Sequence, residues 1–208
     1  MTKHRDFVRC VRVVLPDGSI EQFSSNVVKN TTGYSFKDLV IGSEGTLCVV
    51  TQVTLKLLPE PKYTCTLVIP FGSLEECADM VPHVLALPYI PTAIAEYVKA
   101  AKRIALSHGI RVEPCGHCGD GNIHTEMLRG PEMSDEEWEQ ATTSCLKELY
   151  ALSKRLGGQL SGEHGIGNGR LEYFKEFVGP RMIELHKAVK LAFDPNLILN
   201  PGKVVEFE

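Results

Sequence analysis

Gly119-Asp120-Gly121-Asn122 forces a chain reversal, with an imidazole on either side of it in the run His117-Cys118-Gly119-Asp120-Gly121-Asn122-Ile123-His124. Glycine, aspartate and asparagine are the residues that tight turns need. On adjacent strand ends such a turn brings both rings to one side. Further along, Ser161-Gly162-Glu163-His164-Gly165-Ile166-Gly167 sets a carboxylate and a third imidazole between glycines. His117, His124 and Glu163 with His164 beside them make the inventory of a catalytic divalent-metal site with three protein ligands and an open position. Neighbours on an extended chain point opposite ways, so Glu163 and His164 divide naturally into one ligand and one acid/base group. Asp120 and Asn122 favour the turn and can hold an imidazole tautomer.

Two other chemistries compete for the same residues. Cys115-Gly116-His117-Cys118 has the spacing of a thiol–disulfide exchange motif, but that chemistry needs its first cysteine at a helix N-terminus. Here a turn and a short strand follow. A structural zinc site from Cys115, Cys118, His117 and His124 is crowded, and no second pair completes a finger. The seven cysteines are odd in number and mostly lie in apolar strand or helix patterns. They read as buried free thiols in a reducing compartment rather than a disulfide framework.

The length of 208 residues admits one large domain or two small ones, and 43% hydrophobic content is enough for a core. A net charge of −4 without a basic block argues against nucleic acid and anionic membrane surfaces as partners. The apolar runs are strand-length, so no membrane span is expected, and residues 1–22 lack an apolar signal-peptide centre. The expected location is the cytoplasm.

Phe7 to Leu15 alternates, Pro16-Asp17-Gly18 turns, and Ser19 to Phe23 resumes, which predicts a hairpin. Lys29 to Tyr34 reads as a polar loop. Gly42-Ser43-Glu44-Gly45 is a tight loop that runs into a strand from Thr46 to Leu58. Pro59-Glu60-Pro61 marks a boundary between two units. A strand is expected over Tyr63–Pro70. Ser73 and Glu76 form a capping box for a helix to about Leu87. A second helix, Thr92–Ser107, carries Ile94, Val98, Ala101, Ile104 and Ala105 on one face. Strands over Ile110–Glu113 and Ile123–Leu128 flank the histidine turn. Ser134 and Glu137 cap a further helix, Gly157-Gly158 ends it, and Gln159–Ser161 reads as a strand. The order β-α-(α)-β-β-α-β is the ferredoxin-like pattern. Helices over Leu171–Val178 and Pro180–Phe193 follow, then an extended tail. The fold class is α+β.

Successive backbone N–H groups at Gly42-Ser43-Glu44-Gly45-Thr46 suit a phosphate or flavin loop, or form a plain β-turn. Gly33-Tyr34, this loop with Leu47, the two histidine clusters and Asn200-Pro201-Gly202-Lys203 occur in that order. In this the chain resembles the carboxy-terminal part of the FAD-linked oxidases of the vanillyl-alcohol-oxidase superfamily. Its nearest resemblance is to glycolate oxidase flavin subunits and D-lactate and D-2-hydroxyglutarate dehydrogenases. The resemblance implies that residues 1–60 end a PCMH-type FAD-binding domain and that 61–208 form the cap domain. It implies that His117, His124 and Glu163 bind zinc, manganese or iron, and that His164 is the general base. It also implies that Gly42, Ser43, Glu44, Gly45 and Thr46 line FAD, with Asn200 near the flavin ring. The expected substrate is a small D-2-hydroxy acid. Against the family pattern, the Gly-rich pyrophosphate loop has no counterpart, and the cap is shortened after Pro91-Thr92-Ala93-Ile94. Such a chain is expected to be either truncated or completed by a partner chain carrying the rest of the FAD domain, or by an electron-transfer subunit. The alternative is a non-catalytic metal-binding fragment, or a subunit that needs a partner chain for the flavin half.

Overall fold

Alternating valines make β1 (Val8–Val14), and Asp17 closes the following turn by accepting the Ser19 N–H and hydroxyl. The chain returns antiparallel as β2 (Ile20–Phe23), with Val11 opposite Phe23 and Val14 opposite Ile20. The other edge of β1 pairs antiparallel with β3 (Val49–Leu55), so the strand order is β2-β1-β3. The computed structural model describes residues 4–63, 68–85, 91–117 and 120–207. Two short helices, α1 (His4–Phe7) and α2 (Phe36–Val40), lie where the sequence pattern is too short to predict them. Val40 completes a core with Val11, Val13 and Cys48.

The molecule is α+β and divides into two units. One is Met1–Thr64 with Gly165–Glu208, and the other is Cys65–His164. By contacts, the last part of the segment 61–208 groups with the first 64 residues. The cause is specific bonding. Phe36 stacks near Phe23 and edge-on to Phe193, at centroid distances of 5.4 and 5.9 Å. Lys190 bonds the carbonyl of Thr46, and Asn200 bonds that of Glu44. This segment carries α6 (Leu171–Val178) and α7 (Pro180–Phe193), as the pattern predicts, with Pro180 at the first position of α7.

In the second unit, α3 (Leu74–Leu85) and α4 (Pro91–Ser107) precede an antiparallel pair, β4 (Arg111–His117) and β5 (Asn122–Leu128). Then comes α5 (Asp135–Arg155). Ala101, Ala105, Ile110, Val112, Cys145 and Leu149 form the core, so the predicted face of α4 is the buried one. The Ser134–Glu137 capping box is complete, a device that contributes about 1 kcal/mol. The Ser73 box is half-formed: Ser73 Oγ accepts the Glu76 N–H, but the Glu76 carboxylate accepts from Gly72.

The four-strand ferredoxin-like order is not reproduced among the described residues, where this unit has a two-stranded sheet. Residues 159–161 are irregular: Ser153 Oγ takes the Gln159 carbonyl, and glycines on both sides let the segment bend. The strand expected over 63–70 is irregular at 63 and 68–70, and the rest of it lies outside the described residues. Among the described residues no helix is long and apolar enough to cross a membrane.

Candidate metal centre

The register of β4 and β5 places Cys115 opposite His124 and His117 opposite Asn122. Side chains two apart on a strand share a face, so both imidazoles rise from one side of the pair. Asp120 shapes the turn by donating its N–H to the His117 carbonyl and accepting the Asn122 N–H on its carboxylate. The second cluster supplies the third group. The Glu163 oxygens lie 3.5 Å from His117 Nε2 and 3.4 Å from His124 Nε2. Among the described residues these three form the group able to hold a metal, with donor atoms all within 4.8 Å of one another.

The spacing leaves room for a metal. A histidine–carboxylate hydrogen bond would sit near 2.7–3.0 Å, roughly. Ligands at about 2.1 Å from a tetrahedral ion stand roughly 3.4 Å apart. Two imidazole nitrogens and a carboxylate are also the donor set that zinc, manganese and iron accept. The Asn122 amide approaches His124 Nε2 at 3.4 Å, and the His164 ring lies 5.5 Å from that of His124, edge-on. His164 is exposed, so its ring is accessible beside the three donors.

Glycines let the ligand-bearing segments approach. A Cβ on Gly116 would overlap the carbonyl oxygen of Asn122, and one on Gly162 would fall 2.5 Å from Asn122 Oδ1. Gly116→Ala therefore pushes the two strand ends apart, and metal affinity is expected to drop about tenfold or more, as when a ligand loses its orientation. Calorimetric titration with Zn²⁺ checks this; unchanged affinity would show that the close approach does not set the ligand geometry.

The competing thiol chemistry has no support here. Cys115 lies on β4, away from any helix N-terminus, and is a free exposed thiol. Cys118 lies outside the described residues. Cys10, Cys48 and Cys145 are buried free thiols, and burial pushes the Cys48 and Cys145 thiols above the ordinary range.

The residues expected at a flavin lie in the other unit. Glu44 and Gly45 have φ of 54° and 67°. Ser43 donates its N–H to Val40 and Thr46 to Ser43, so those two groups are spent inside the turn instead of pointing outward. Both Glu44 carboxylate oxygens are likewise engaged, by the N–H groups of Ile166 (2.6 Å) and Gly167 (2.7 Å). What remains open is backbone: Gly42 and Gly45 are exposed, and a Cβ at Gly42 would meet no atom within 4 Å. Asn200 Nδ2 donates to the Glu44 carbonyl at 2.7 Å and lies where a Cβ on Gly45 would go. This exposed glycine edge beside a side-chain amide fits one margin of a flavin.

The family described as FAD linked oxidases, C-terminal domain, matches residues 85–204, which include His117, His124, Glu163, His164 and Asn200. This chain belongs to the FAD-linked oxidases. It is 27% identical over 306 aligned residues to a D-lactate dehydrogenase of Anaerostipes hadrus, covering 96% of this chain and 64% of the relative. A D-lactate dehydrogenase of Archaeoglobus fulgidus is 28% identical, with 97% and 65% covered. The glycolate oxidase subunit GlcD of Bacillus subtilis is 25% identical, with 96% and 63% covered. The FAD-linked oxidase chain thus spans under two thirds of the length of these relatives. The aligned span of 306 exceeds its own 208 residues, so the relative has internal segments without a counterpart here.

Proposed function

We propose that this chain takes part in the FAD-dependent oxidation of a small D-2-hydroxy acid to the 2-oxo acid, with a divalent metal at His117, His124 and Glu163. The observation that carries the reading is the Glu163 carboxylate set at co-ligand distance from two Nε2 atoms in a chain of this family. When bound, FAD supplies a two-electron acceptor for the hydride of Cα, and the metal supplies a Lewis acid for the substrate hydroxyl and carboxylate.

The residues of the chain divide the remaining work. His117 and His124 present Nε2 lone pairs, and the Glu163 carboxylate completes the donor set. The Asn122 amide, 3.4 Å from His124 Nε2, would give up that nitrogen to a bound metal. His164, beside His124 and outside the ligand set, takes the hydroxyl proton on an imidazole nitrogen. Gly42, Ser43, Glu44, Gly45, Thr46 and Asn200 form the margin that receives the flavin, chiefly through the exposed backbone of the two glycines.

A second reading is a metal-binding subunit that needs a partner chain for the rest of the flavin site. The internal use of the Ser43 and Thr46 N–H groups favours it, because the turn offers few free donors to a phosphate. One experiment separates the two. The full chain is loaded with FAD and Zn²⁺ or Mn²⁺, freed of oxygen, and mixed with D-lactate or glycolate. Bleaching of the flavin absorbance is expected with D-lactate and not with L-lactate, slowed about 10²–10⁴-fold by His164→Ala. Metal binding without FAD uptake would favour the subunit reading. FAD uptake without bleaching by any 2-hydroxy acid would contradict the proposed substrate class.

A further inference from the structure

The first unit contains a buried charge pair that the reading above does not use. Lys190, in the last turn of α7, is 5% exposed, and Asp194, which follows that helix, is fully buried. The Lys190 ammonium has three donors and three acceptors: the Thr46 carbonyl at 2.7 Å, the Leu199 carbonyl at 2.7 Å and Asp194 Oδ2 at 2.5 Å. Asp194 also accepts the N–H groups of Ile198 and Leu199, at 3.1 and 2.8 Å. One lysine thus ties the end of the Gly42–Thr46 turn to the segment that delivers Asn200. A surface ion pair would have no reason to reach two backbone carbonyls from such distant stretches of chain.

Backbone strain falls on the same segments. Glu44, Leu197 and Asn200 are non-glycine residues with φ of 54°, 54° and 43°. Such conformations are disfavoured and persist where the surroundings over-determine them. Glu44 and Asn200 are the two ends of one hydrogen bond, Asn200 Nδ2 to the Glu44 carbonyl. Two of the strained residues thus set the exposed edge, and Lys190 bonds the Thr46 and Leu199 carbonyls next to them.

We infer that Lys190 and Asp194 are positioning residues for flavin binding: by clamping Thr46 and Leu199 they hold Asn200 and the Gly42–Thr46 turn in the strained arrangement that receives the cofactor. The inference rests on the flavin reading of that edge. A preorganised edge loses less freedom on binding, so its value appears as affinity.

The test compares the full chain with a charge-free variant, Lys190→Met/Asp194→Leu, in which neither partner is left as an unpaired buried charge. Phe174→Leu, a core change in the same unit, serves as a control for general destabilisation. Hydrogen–deuterium exchange without FAD reads the turn directly, and fluorescence titration reads FAD affinity. In the double variant, exchange is expected to rise in peptides covering 43–46 and 197–200, and FAD affinity to fall at least about tenfold. Phe174→Leu is expected to leave FAD affinity within about twofold. Unchanged exchange at 43–46, or unchanged FAD affinity, overturns the inference, as does an equal loss in Phe174→Leu. An unaltered chain that binds no FAD overturns the reading of this edge as a flavin site that works without a partner chain, and with it the positioning role tested here. An unaltered chain that binds FAD as tightly as the double variant overturns only the positioning role.

Discussion

His124→Ala is expected to lower divalent-metal affinity by well over about a hundredfold, beyond the roughly tenfold to hundredfold loss typical of removing an outer partner. His124 is the hub of the cluster: its Nε2 faces Glu163 Oε2 and the Asn122 amide, and its ring lies between those of His117 and His164. Removing it leaves His117 and Glu163, a pair that binds a divalent ion weakly. Asn122→Ala, which removes an amide that contends for the His124 Nε2 lone pair and is no ligand, is expected to change affinity by less than about tenfold. Zn²⁺ titration of the three proteins by calorimetry checks the order. Similar affinities for the unaltered chain and His124→Ala would show that the ion binds elsewhere.

Lys190→Met is expected to destabilise the first unit by about 3–5 kcal/mol, because Asp194 is left as an uncompensated buried charge. The Lys190→Met/Asp194→Leu variant is expected to recover part of that loss, since it removes the unpaired charge but leaves the backbone partners of both side chains unbonded. Acid acts on the same pair. Burial raises the Asp194 carboxyl, but hydrogen bonds from Lys190, Leu199 and Ile198, with the Lys190 charge, outweigh it and hold the pKa below the ordinary carboxylate range. On acidification the unfolded chain therefore takes up this proton first. The stabilisation is complete above about pH 4 and is lost as the pH falls through the depressed folded value. Denaturation followed by circular dichroism at neutral pH and at lower steps measures both effects. A single variant as stable as the double one would show that the pair is not energetically coupled.

The contrast between these two sites explains what was legible in the sequence. Glu163-His164 between glycines, and two histidines across a Gly-Asp-Gly-Asn reversal, have no ordinary use in a core, so their residue types alone point to a site. Helices α4 and α5 are equally plain, because the apolar period and the Ser134 cap agree with the packing. Lys190 and Asp194 instead stand at an i, i+4 spacing that usually marks an exposed ion pair. Their burial depends on Thr46, 144 residues away, and local pattern carries no trace of such a partner. Residues 159–161 fail as a strand for a related reason: β-type residues need a neighbouring strand, and here Ser153 takes the carbonyl instead. The Glu44 carboxylate likewise reads as a loop charge until Ile166 and Gly167 are seen to bond it.

X-ray absorption spectroscopy of the Zn²⁺-loaded chain tests the metal centre most directly. The geometry predicts two imidazole nitrogens and one carboxylate oxygen at about 2.0–2.2 Å, with lighter scatterers completing the shell and no sulfur. A zinc–sulfur distance of about 2.3 Å would place Cys115 or another thiol in the site and contradict the assignment of His117, His124 and Glu163 as the ligand set.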